Sequence, residues 1–369
     1  MSKLKLIFPA IILVLLFACN SNKITEEQTE ISIQTVDSLI YPEEVHFTKM
    51  KQLTFGGDNA EAYWSFDDKK LIFQATNPAW DAECDQIYVT EVANSDMKNT
   101  MPTLVSTGLG RTTCSYFLPG DSTILYASTH ERDASCPHKP EHREDGKYVW
   151  PVYESFDIYV ADLYGNIIKK LTDTPGYDAE ATVSPTGDKI VFTSMRSGDL
   201  ELYTMNIDGS DVHQITNELG YDGGAFFSPD GTQLVFRSSR PKTDEEVKEY
   251  TDLLKQGLVM PTNMEIYVCN VDGSNLKQVT QLGKANWAPY FHPSAEKIIF
   301  SSNHHSEKGF NFNLFMINVD GSGLKQITYD NVFDAFPVFS NDGKKLVFSS
   351  NRHNGGTYET NLFLADWTD

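Results

Sequence analysis

Six copies of one pattern between residues 58 and 369 constrain this chain more than any single residue does. Each copy has a short apolar strand, a tight turn with Pro, Asp or Gly, a β-rich run ending in small polar residues, and an (Ile/Leu)-(Tyr/Phe) strand. A DGS-type turn often follows, leading to Gln-(Ile/Val/Leu)-Thr. The clearest copies are ATVSPTGDKIVFTSMRSGDLELYTMNIDGSDVHQIT (181 to 216), AFFSPDGTQLVFRSSR (225 to 240) with MEIYVCNVDGSNLKQVT (264 to 280), and PYFHPSAEKIIFSSNH (289 to 304) with NLFMINVDGSGLKQIT (313 to 328). The others are PVFSNDGKKLVFSSNR (337 to 352), AYWSFDDKKLIFQAT (62 to 76) and SYFLPGDSTILYASTH (115 to 130). Four strands per unit at a period of about 40 to 50 residues is the signature of a β-propeller.

Strands that alternate apolar and polar residues bury one face each and form no core alone, so six such sheets must stack radially. The last copy stops after NLFLADW (361 to 367) without an outer strand. Lys51-Gln52-Leu53-Thr54 matches Lys325-Gln326-Ile327-Thr328 and supplies it. The expected fold is therefore all-β, a six-bladed propeller closed by an N-terminal strand, which removes open sheet edges. Blade four carries a short helical insertion, because Thr243 and Glu246 have capping-box spacing and Val247, Tyr250, Leu253, Leu254 and Leu258 form one stripe before Gly257.

Lys3 and Lys5 precede an apolar run from Leu6 to Ala18, then Leu16-Phe17-Ala18-Cys19. This resembles a bacterial lipoprotein signal peptide, which implies residues 1 to 18 as the signal peptide and lipidation of Cys19. Residues 19 to 44 are then a lipidated start and polar tether, spanning roughly 25 to 30 Å as a flexible chain. The propeller occupies 45 to 369. Asn20 after Cys19, by resemblance to lipoprotein sorting, points to the outer membrane. The expected location is the cell envelope, anchored by lipid only. A formal charge of −21 argues against nucleic acid and for basic partners or cations.

Cys269 reads as a small buried thiol within IYVCNV. Cys84, Cys114 and Cys136 remain, and in an oxidising compartment two of them are expected to pair, 84 with 114 or 114 with 136.

Loops between blades and loops between second and third strands emerge on one face of a propeller. Both large insertions, 131 to 154 and 241 to 262, lie there, which marks it as the binding face. Tyr148, Trp150 and Tyr153 in the first insertion form an aromatic lip over the channel or a local core. Aligning the copies brings Asn59, Thr112, Asp178, Asp222, Asn286 and Asp334 to one equivalent position near the channel mouth, with Glu61 and Glu180 two residues further along. Such a ring suits a cation such as calcium, or a basic or backbone-rich peptide. The same residues also suit the capping of their own loops. No other cofactor is implied.

Arg196, Arg240 and Arg352 follow second strands while Glu201, Glu265 and Asn361 precede third strands, so Arg-to-acid bridges within blades are expected. His130 and His304 take the Arg position in their copies, opposite Asp157 and Asn313. His138 and His142 have a helical metal spacing that Pro140 defeats.

The SPDGxxLVFxSxR…EIYVxNxDGSNxxQVT pattern over residues 45 to 369 resembles the WD40-like repeats of TolB-type propellers. The resemblance implies a six-bladed domain and a non-enzymatic, monomeric propeller that binds a protein or peptide partner in the envelope. Similar repeats occur in oligogalacturonate lyases and in the propellers of prolyl oligopeptidase-type peptidases, so a carbohydrate-active enzyme or an accessory propeller of a peptidase system is the alternative. No G-x-S-x-G motif is present, and the aligned channel positions hold no His.

Overall fold

The structure, a computed structural model, describes residues 39 to 369 except 96, 99, 141 and 142. The signal segment, Cys19, most of the tether and His142 lie outside the described residues. Six four-stranded antiparallel sheets form the body. Their innermost strands are Asp58–Trp64, Thr112–Phe117, Asp178–Val183, Asp222–Phe227, Asn286–Phe291 and Asp334–Phe339. The sixth blade is completed by Phe47–Gln52, antiparallel to Asn361–Trp367, with Lys51 opposite Leu364 and Gln52 opposite Phe363.

The repeated residues explain why each sheet forms. The aromatic of the second strand faces the aromatic of the third across the ladder in every blade: Phe73 and Tyr88, Tyr126 and Tyr159, Phe192 and Tyr203, Phe236 and Tyr267, Phe300 and Phe315, Phe348 and Phe363. Ring centroids of the Phe348 and Phe363 pair lie 5.9 Å apart. Such pairs add about 0.5 to 1.5 kcal/mol each beyond the area they bury.

The Gln-x-Thr ending has an equally local purpose. The Thr hydroxyl accepts the N–H of the third strand's second residue, as Thr216 does from Leu202 (2.9 Å) and Thr280 from Ile266 (2.8 Å). Thr54 does the same for Leu362 at 2.8 Å, so the N-terminal strand satisfies the sixth blade as the outer strands satisfy theirs. DGS turns close on themselves, Asp208 accepting from both the backbone and hydroxyl of Ser210.

The helix Asp244–Leu254 has the full capping box, Thr243 and Glu246 reciprocally bonded, and buries Tyr250 and Leu253 against the propeller. The two insertions also join each other. Trp150–Pro151 pairs antiparallel with Leu258–Val259, so blades two and four share a two-stranded clasp.

Two expectations are corrected here. The disulfide joins Cys84 to Cys136, with Cα atoms 5.9 Å apart, and Cys114 is free. The bond pins the first insertion to blade one, a proximity in three dimensions that linear order hides. The tether also ends sooner than residue 44. Glu44 is fully buried against Arg352, and the Tyr41 ring lies over the same guanidinium at 5.4 Å.

Candidate functional site

Every innermost strand breaks register at the same place. Two residues past the shared Asp, Asn or Thr stands one with left-handed φ: Glu61 (54°), Cys114 (46°), Glu180 (57°), Gly224 (60°), Ala288 (46°) and Phe336 (55°). For the five non-glycine residues this conformation costs about 1 kcal/mol or more each. A bulge re-aims its side chain, and all six border one cavity of about 1010 Å³ in the propeller channel.

Blades one to four make the polar side of this ring. Glu180 accepts from Tyr221 Oη (2.7 Å), Thr193 Oγ1 (2.7 Å) and the Gly224 amide (2.9 Å), and pairs with Arg237. Burial alone would raise its pKa, but Arg237, Tyr221 and Thr193 outweigh that and hold it low. The Arg237 guanidinium lies over Tyr221 at 4.9 Å and Trp150 at 5.4 Å. Gly224 is required beside it, because a Cβ there would collide with Arg237 Nη1.

Glu61 differs. Among the described residues its carboxylate accepts only from neutral donors, Cys114 Sγ at 3.0 Å and Tyr63 Oη at 3.4 Å. Burial pushes its pKa up to about 7, against the Cys114 hydrogen bond. Cys114 is itself held well above the usual thiol range by burial and by Glu61 and Glu180, so it stays a protonated donor and a poor nucleophile.

The remaining wall is aromatic. Trp150 packs on Trp287 (5.0 Å between centroids), Trp287 stacks on Phe312 (4.3 Å), and Phe333 continues to Phe336 at the bulge of blade six. Below, Tyr63, Tyr116, Phe226 and Tyr290 pack ring against ring at 5.1 to 5.7 Å and form a floor. A smaller cavity of about 340 Å³ lies on the turn side, with Phe226 bordering both.

The structure moves most of the expected ring away from the channel mouth. Asp178 and Asp222 are buried in their own blades against Arg196 (3.1 Å) and Arg240 (2.6 Å), and Asp334 against Arg352 (3.0 Å). Asn59 and Asn286 are buried too, their amides donating to carbonyls such as Gly56 and Met264. The within-blade bridges exist, but the acid is the first-strand Asp rather than Glu201 or Glu265. Ladder position does not choose between them, since the second strand's last residue sits opposite both acids; Glu265 instead accepts from the Thr280 hydroxyl and the Gly283 amide. His130 likewise bonds Ser128 and packs on Tyr159, while Arg132 and Lys170 take Asp157.

Glu61, Glu180, Trp150 and Tyr153 do border the channel, and the Tyr153 hydroxyl donates to the His138 carbonyl. Arg237, Cys114 and Trp287 escaped the sequence reading as site residues. A signal existed, since the column two past the shared Asp reads Glu, Cys, Glu, Gly, Ala, Phe, varied chemistry inside an otherwise uniform repeat. Among the described residues no group of three or more His, Cys, Asp or Glu is placed to hold a metal ion.

Comparison with known proteins agrees with this architecture. A TolB from Agrobacterium tumefaciens, assigned as such, superposes with a TM-score of 0.55 at 19% identity, over 85% of this chain and 91% of its own. TolB from Acinetobacter baumannii gives 0.51 at 18% identity, over 84% of this chain and 63% of its own. An oligogalacturonate lyase in complex with manganese reaches only 0.49 at 14% identity, over 87% and 93%. No curated protein matches the sequence. The TolB beta propeller domain family matches residues 140–250 and 259–362, more than half of the chain, and the chain belongs to that family.

Proposed function

We propose that this chain is a binding propeller of the cell envelope, tethered through lipid on Cys19, that receives a protein or peptide partner in its channel. The observation that supports this best is the channel itself: a cavity of about 1010 Å³, floored by aromatics and bordered by two insertions clasped to each other. A closed floor makes it a receptacle rather than a passage. Its lining pairs a polar arc with an aromatic arc, the composition of a binding pocket. A binding role also fits the chemistry of the ring, where the one thiol is a protonated donor and Glu180 is occupied by Arg237. A single chain supplies all six blades, its first and last joined by the Asp58–Thr360 bridge, so the ring needs no second copy.

Site-specific photo-crosslinking in intact cells tests the reading. Phe310 is exposed at the channel rim and Ser210 sits on a turn of the opposite face. A benzophenone residue at 310 should give discrete crosslinked products, and one at 210 should not. Products from 210 alone, or none from 310, would reject this assignment of the binding face.

A further inference from the structure

We propose that the channel is built to take a cationic nitrogen, the primary ammonium of a lysine side chain, seated on Glu61 against the aromatic wall. This rests on the binding role proposed above and specifies its ligand chemistry. The two acids of the bulge ring are treated differently by the fold. Glu180 has its own guanidinium and three further donors, so its charge is answered internally. Glu61 has two neutral donors, and a cation is the group it lacks. The fold nonetheless holds Glu61 in a left-handed conformation that turns it to the cavity. Strain of that kind persists where the surroundings impose it, as at ligand sites.

The aromatic wall matches the rest of such a ligand. Trp287, Phe312 and Phe336 present ring surface for a methylene stem, and aromatic faces attract ammonium groups. The two guanidinium groups of the cavity are ion-paired, Arg237 with Glu180 and Arg111 with Asp85, while the exposed Lys284 donates to the neutral Ser306 carbonyl and keeps its charge. Neither guanidinium is therefore left for an anionic ligand, which would also meet Glu61, whereas a chain of charge −21 draws cations toward it.

The groups acting on Glu61 give the binding a pH signature. Burial pushes the carboxyl up to about 7, the Cys114 hydrogen bond opposes this, Glu180 adds to it, Arg237 opposes it and Asp85 adds. An ammonium requires the ionised carboxylate, and an alkyl ammonium stays charged to about pH 10. Binding should therefore strengthen as pH rises from 6 to 8, by about tenfold if the carboxyl titrates near 7.

Calorimetry on the folded protein with Nα-acetyl-lysine methylamide and its norleucine counterpart tests this. At pH 8 the lysine probe should bind at least about tenfold tighter, the size of one charge-assisted contact. That preference should shrink at pH 6, and Glu61→Gln should erase it while leaving the norleucine probe unaffected. Equal binding of the two probes would overturn the ammonium assignment while leaving the channel as a binding site. Preference retained in Glu61→Gln, or unchanged between pH 6 and 8, would overturn it too. Should the variant fail to fold, the pH series on the unmodified protein decides. Binding of neither probe also rejects the inference, and crosslinking from Phe310 then shows whether the binding face fails with it.

Discussion

Arg352 and Glu44 form an ion pair in which neither side chain is exposed: Nη2 lies 3.0 Å from Oε1 and Nη1 lies 3.1 Å from Oε2. Asp334 takes the same Nη2 at 3.0 Å. The pair latches the segment before the closing strand to the blade it completes. Glu44→Ala leaves Arg352 with Asp334 as its one remaining carboxylate and takes the carboxylate from its buried Nη1, so unfolding free energy should fall by about 1 to 3 kcal/mol. Denaturant titration of this variant, beside a deletion of residues 20 to 38 that leaves stability unchanged, checks it.

Asp222 makes a two-pronged contact with Arg240, at 2.6 and 2.8 Å, and is wholly buried. Asp222→Asn should therefore destabilise the protein by about 2 to 3 kcal/mol through the half-paired guanidinium. Ligand affinity in the channel should not change. A variant of full stability with weakened binding would return this Asp to the site.

The Cys84 to Cys136 bond closes a loop of 52 residues and holds the insertion that forms the lip. Its loss in Cys136→Ser should cost about 2 to 4 kcal/mol on the chain-entropy estimate. Limited proteolysis should cut within residues 131 to 154 sooner in the variant than in the parent protein.

Glu201 is almost fully buried, and burial holds its carboxyl well above the ordinary value of 4.5. The folded state thus keeps a proton that the unfolded chain releases above pH 4.5. This contribution to stability is complete below that pH and is lost as pH rises through the folded-state value. Glu201→Gln should leave stability at pH 4 nearly unchanged and flatten the decline toward alkaline pH. Thermal unfolding across a pH series measures the slope, and parallel curves for the two proteins would refute the assignment.

The repeat determined the fold outright. Aromatic positions of second and third strands, Thr at the end of the outer strand, and the match of Lys51 to Thr54 with Lys325 to Thr328 are interactions within one blade, legible because each copy restates them. The capping box at Thr243 was equally legible, since it acts over three residues. What only the tertiary structure decided are relations between blades and along the radius. Whether Asp178 faces the channel or its own Arg196 depends on ladder register, and the answer was Arg196. That Cys84 meets Cys136, that Trp150 pairs with Val259, and that Glu61 and Glu180 reach a common cavity with unequal partners depend on how six sheets converge. A bulge of one residue turns Glu61 inward, and the repeat marks that column only by its varied chemistry, because the side chains there answer to a shared cavity rather than to their own blade.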